Sequence, residues 1–293
     1  MNIKRRRLLL GAGSALAGLS VAGAQTLPAD PPAIFDAHFH IFDPRFPIRS
    51  NDGYTPPSQT VAGYLDEARP LGIKSGVVVA SSFQGYHQAW LKDALTKLGS
   101  EWVGVTQVPK TISDAEIIAL TRNGVRGVRF DLFRGDDSSM ADIIALSKRV
   151  HDIAGWHLEL YVDALLLKSQ VSRLSQLPTL VIDHLGMSTA GLPVLLELVA
   201  AGVRVKASGF GRVVMDVPDA LEQIARINPN ALMFGSDMPS TRAKRAFQPT
   251  DIDLVNRVLG RDIARKVLWE NGREFYQTPL HSSTDPHLHR NAQ

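Results

Sequence analysis

From residue 33 onward the chain alternates short runs rich in β-branched residues with longer stretches of helical period, which restricts it to repeated βα units around a parallel sheet. Eight runs read as strands, at residues 33–38, 74–80, 102–108, 127–130, 158–162, 180–183, 203–207 and 232–235. The stretches at 61–69, 89–98, 113–121, 141–153, 165–177, 192–201 and 220–227 carry apolar residues at helical spacing. Two closing helices are expected at 250–259 and 262–276. This rhythm admits a doubly wound sheet or a closed (β/α)8 barrel of the TIM type. Barrel enzymes place catalytic side chains at the C-terminal ends of several strands, and the polar residues of this chain gather there. The reading is therefore an α/β chain forming one barrel over residues 25–277. A chain of 293 residues with 44% apolar side chains can bury one such core.

The first 24 residues follow a different logic. Lys4-Arg5-Arg6-Arg7 precedes Leu8-Leu9-Leu10 and a Gly-, Ala- and Leu-rich stretch that ends Ala22-Gly23-Ala24. Basic, apolar and small-residue regions in that order form an export signal, and the arginines before leucines resemble a bacterial twin-arginine signal. Cleavage after Ala24 and a periplasmic location are expected, with the twin-arginine export machinery as a protein partner. The segment holds four of the 32 basic residues and no acidic one, so the mature chain would carry a net charge of −1. The basic pI gives no support for a nucleic-acid or anionic-membrane partner. No later apolar run is long enough for a membrane span. With no cysteine, disulfides, thiolate nucleophiles and cysteine metal sites are excluded.

Three strand ends carry the chemistry. The first reads Asp36-Ala37-His38-Phe39-His40, and alternation along a strand puts His38 and His40 on one side. An isolated pair of this kind can be a satisfied core feature. The sixth ends Asp183-His184-Leu185-Gly186 and the eighth Gly235-Ser236-Asp237-Met238-Pro239. Three imidazoles and a carboxylate arriving from three strands can polarise a carbonyl and activate water, which is what hydrolysis requires.

These motifs resemble the amidohydrolase superfamily over roughly residues 33 to 277. Metal-dependent members usually carry a bridging lysine or glutamate on strand four and a further histidine on strand five. Here those strands read Val125-Arg126-Gly127-Val128-Arg129-Phe130 and Leu158-Glu159-Leu160-Tyr161-Val162. Such substitutions are similar to the 2-pyrone-4,6-dicarboxylate lactonase branch, which implies lactone hydrolysis with no required cofactor. One zinc on His38, His40 and Asp237 is the alternative. The resemblance implies that Asp237 takes a proton from water while His38, His40 and His184 hydrogen-bond the lactone carbonyl. Tyr161 stands where metal-dependent relatives keep a histidine. Arg129 and Arg212 match positions that grip substrate carboxylates, with Tyr54, Ser82 and, after a one-residue gap, Arg134 as further matches. Met187 and Arg242 depart from the branch, which favours arginine and asparagine there. The substrate is then a dicarboxylate, monocarboxylate or sugar lactone.

Two other functions fit the same residues. One is a mononuclear metal-dependent amidohydrolase or decarboxylase. The other is a periplasmic organic-acid binding protein, against which Asp237 counts, since a carboxylate facing an anion weakens its binding. His151 and His157, at the opposite end of strand five from the pocket, read as structural. His281, His287 and His289 lie in a polar tail at 278–293 and read as disordered. The long first loop, 42–57, reads as a pocket lid.

Overall fold

The computed structural model describes residues 32–277. The expected export segment and the polar tail lie outside the described residues. Strands β1 (Ile34–Phe39), β2 (Ile73–Val79), β3 (Trp102–Thr106), β4 (Val125–Asp131), β5 (His157–Tyr161), β6 (Leu180–Ile182), β7 (Arg204–Ala207) and β8 (Leu232–Phe234) pair in parallel, in chain order. Every expected strand lies within two residues of these bounds. Chain-order pairing is barrel topology; a doubly wound sheet would reverse direction at a switch point.

The β1/β8 seam closes through individual bonds. Asp237 N donates to His38 O at 2.7 Å and His40 N to Met238 O at 2.8 Å. Asp36 adds a side-chain clamp: one oxygen accepts from Ser236 N at 2.8 Å and His38 N at 3.1 Å, the other from Ser236 Oγ at 2.6 Å and Tyr64 Oη at 2.9 Å. Gly235 lets the strands come this close, because a Cβ there would sit 2.7 Å from that of His38.

The helices are α1 (Val61–Ala68), α2 (Ala89–Leu98), α3 (Asp114–Arg122), α4 (Met140–Ala154), α5 (Val171–Leu174), α6 (Leu192–Ala200), α7 (Val217–Ile227), α8 (Pro249–Arg265) and α9 (Asn271–Gln277). Several begin at polar caps that satisfy free amide donors, as with the reciprocal Ser113/Glu116 bonds at α3 and Asp216 at α7. The expected long helix at 165–177 is mostly a 3₁₀ stretch, Ala164–Gln170, ahead of the single-turn α5. Ala164 and Leu167 are its buried residues, and this i, i+3 spacing suits three residues per turn. The two closing helices are joined by direct continuation: α8 breaks at Gly260, with φ of 69°, and passes through the wide turn Lys266–Glu270 into α9.

Outside the barrel, Phe39 stacks on Tyr64 at 3.7 Å between ring centroids, with Trp102 edge-on to both. Burying such rings stabilises by about 1.5–3 kcal/mol each. The lumen has two characters. Phe35, Ala37, Val77, Val79, Val103, Val105, Val181 and Met233 form an apolar cluster with Tyr276 of α9. Facing it, β4 to β7 bring in Arg129, Glu159, Asp183 and Lys206, all buried.

Candidate active site

β1 carries one residue more than β2 between Asp36 and Phe39. Phe39 packs outward, while the His38 and His40 rings meet edge-on at 5.0 Å. His184 follows β6, and its ring lies 4.7 Å from that of His38. Asp237 follows β8. Its Oδ1 is 3.6 Å from His40 Nε2, 3.9 Å from His38 Nε2 and 4.0 Å from His184 Nε2. Neither that oxygen nor His38 Nε2 has a hydrogen-bond partner, although both are buried. His184 and Asp237 adopt positive φ of 50° and 59°, a backbone region uncommon for non-glycine residues and often found at functional sites.

The remaining hydrogen bonds orient the rings. His40 Nδ1 lies 2.8 Å from Val79 O; a carbonyl only accepts, so this nitrogen carries the proton. His184 Nδ1 meets Ser208 Oγ at 2.9 Å. Burial drives the His184 pKa down to about 3, leaving a neutral ring at ordinary pH. His38 Nδ1 lies 3.3 Å from the Lys206 ammonium and 3.4 Å from Asp183 Oδ1. Lys206 contacts Glu159 at 2.6 Å, and Arg129 Nε donates to Asp183 Oδ2 at 2.9 Å. Burial raises the pKa of Glu159 and of Asp183, but the neighbouring cations outweigh it and hold both carboxyls below their ordinary values. Two cations and two anions therefore balance beneath the histidines.

A narrow pocket lies above. Its lining includes His40, His184, Tyr161, Ser82, Arg129, Arg134, Arg212 and Arg242. Ser82, Asp131 and Arg134 also line an outer vestibule of about 510 Å³. His38 and Asp237 are fully buried. Arg212 binds Asp237 Oδ2 through Nη2 at 2.5 Å and Nε at 2.9 Å, and also reaches Thr241 O and Tyr161 Oη. Burial raises the Asp237 pKa, but Arg212, backed by the histidines, holds it far below the usual carboxylate range. Arg129 is anchored in the barrel wall by Asp183 and Ala80 O, and its guanidinium lies over the Tyr161 ring. Arg242 binds the Asn51 backbone and side chain, tying the β8 loop to the first loop. Tyr54 sits one layer out, against Phe83 and beneath the Arg242 guanidinium. Arg134 lies over Phe133 at the vestibule edge.

Sequence reasoning missed Asp36, Glu159, Asp183 and Lys206. Their signal is a lone charge inside an otherwise apolar strand, as in Val205-Lys206-Ala207 and Leu158-Glu159-Leu160. A strand buried on both faces has no solvent for such a charge, so it must meet another inside.

Among the described residues, two groups of three could share a metal ion: His38, His40 and Asp237, and His38, Asp183 and His184. Both need His38, whose Nδ1 faces the Lys206 ammonium, and Arg212 already occupies the other oxygen of Asp237. A divalent ion held by either group would lie between these two fixed cations, whose charges are paired with Glu159 and Asp237.

The family model described as "Amidohydrolase" matches residues 35–278. A 4-sulfomuconolactone hydrolase of Rhizobium radiobacter is 31% identical over 279 residues, covering 85% of this chain and 91% of that protein. A 2-pyrone-4,6-dicarboxylate hydrolase of Comamonas testosteroni is 33% identical over 161 residues, covering 53% of this chain and about half (52%) of its own length. Among solved structures, a putative 2-pyrone-4,6-dicarboxylic acid hydrolase of Pseudomonas putida superposes with a TM-score of 0.72 at 26% identity, covering 85% of this chain and 98% of that one. Barrel topology, histidines and aspartate at the ends of strands one, six and eight, and a family match across nearly all described residues agree: the chain belongs to the amidohydrolase family.

Proposed function

We propose that the protein hydrolyses a lactone bearing one or more acid groups, without a metal ion, after export from the cytoplasm. The observation that carries this reading is the pocket itself: four arginines, Arg129, Arg134, Arg212 and Arg242, surround the approach to three histidines and a carboxylate. Guanidinium groups recognise carboxylate-like anions through paired hydrogen bonds. Relatives named for hydrolysing a pyrone dicarboxylate and a sulfomuconolactone, both acidic lactones, support the same substrate class.

The residues divide the reaction between them. With its Nδ1 proton on Val79 O, His40 can present a lone pair at Nε2, and Asp237 Oδ1 lies 3.6 Å away, so one water can donate a hydrogen bond to each. The water oxygen attacks the lactone carbonyl carbon and passes a proton to Asp237. His38 and His184 stand beside the oxyanion that forms. Collapse of the tetrahedral intermediate breaks the ring C–O bond, and the departing oxygen recovers the proton from Asp237. Tyr161 and the arginines orient the ring, and Ser82 and Tyr54 shape the outer wall.

Asp237→Asn keeps the shape of the side chain but cannot accept the proton. It should lower kcat about 10²–10⁴-fold on acidic lactones while leaving KM nearly unchanged. Ordinary kcat in this variant would remove the aspartate from the mechanism. Activity lost on chelation and restored by zinc would establish the metal-dependent alternative instead.

A further inference from the structure

Lys206 touches neither the pocket nor any expected substrate group, yet it is fully buried on β7 beneath the histidines. Its ammonium reaches His38 Nδ1 at 3.3 Å with hydrogen-bonding geometry. Asp183 Oδ1 is as near to that nitrogen, at 3.4 Å, but has no hydrogen-bond partner. An ammonium has only protons to offer, so the nitrogen it meets must accept. The single proton of a neutral His38 ring then lies on Nε2, the atom that faces Asp237 and is left without a partner.

We infer that Lys206 is a positioning residue that holds His38 as its Nε2–H tautomer, making it a donor to the lactone oxyanion rather than a metal ligand. The inference rests on the lactonase reading for its catalytic consequence, but the tautomer itself does not. Metal-binding histidines commonly donate their second nitrogen to a carboxylate or carbonyl, freeing a lone pair for the ion. Asp183 offers that arrangement to His38, and Lys206 holds the ring against it. Glu159, 2.6 Å from Lys206, balances its charge, so a lysine can remain in the barrel interior.

Nitrogen-15 NMR of the histidines in the wild-type protein tests this directly, with His38 assigned from the spectrum of His38→Gln. The expected result is a proton on Nε2 and an unprotonated Nδ1 at neutral pH; a proton on Nδ1 overturns the inference. A second arm uses Lys206→Met combined with Glu159→Gln, which removes both charges together. His38 should then turn its Nδ1–H to Asp183, and zinc alone, titrated calorimetrically, should bind at least about tenfold more tightly than to wild type. With acidic lactones, kcat should fall about 10²–10³-fold, the loss typical of a missing oxyanion donor. An unchanged tautomer in the double variant would overturn the role of Lys206. Failure of the wild type to open any lactone would count against the lactonase reading alone, because the NMR and zinc results stand without turnover.

Discussion

Arg212 holds Asp237, the carboxylate proposed as the base, and a base held so firmly by a cation is a weak one. In the proposed reaction an acid group on the substrate would compete with Asp237 for the same guanidinium, which would couple binding to activation of the base. Removing Arg212 also removes the charge that depresses the Asp237 pKa, while burial continues to raise it. The sign follows: in Arg212→Met the acid limb of the kcat/KM profile should move to higher pH. KM for acidic lactones should rise about 10- to 100-fold, with a smaller change for neutral ones. A limb that stays in place would mean that a group other than Asp237 titrates there. At this scale the sequence showed which side chains assemble, because strand-end positions fix them. It did not show that Arg212 would meet Asp237, since a loop residue after β7 has no periodicity to follow.

Strands were legible almost to the residue because buried parallel strands are short, apolar and β-branched. The 164–174 segment was not, because a period of three and a period of 3.6 differ little over two turns. The seam between β1 and β8 was also hidden, since it depends on Asp36, an acid inside a strand. Burial lifts its pKa to about 6, against the hydrogen bonds that favour its charged form. A carboxyl raised in the folded state contributes most below its unfolded value near 4, and that contribution is lost as pH rises through 6. Asp36→Asn mimics the neutral acid and can still pair with both hydroxyls. Relative to wild type, it should therefore gain about 1 kcal/mol between pH 5 and pH 8 in urea unfolding. Asp36→Ala should instead lose about 1–3 kcal/mol for each amide left unpaired, at His38 and Ser236. Equal pH slopes for wild type and Asp36→Asn would show that Asp36 does not titrate in this range.

For the whole molecule, the described residues contain no helix long and apolar enough to cross a membrane. The proposed export rests on the first 24 residues, and under that proposal N-terminal sequencing of the protein from its native host should read from Gln25. A mature protein starting at Met1 would refute cleavage. The barrel also has a consequence for its own synthesis. The Asp36–Ser236 clamp joins residues 200 positions apart, and Tyr276 covers the lumen cluster from the far end of the described chain. On a translating ribosome His38 emerges early but meets its aspartate only after residue 237 has left the exit tunnel. No nascent fragment short of that length can bring His38 and Asp237 together, so the proposed activity should appear late and together with closure of the barrel.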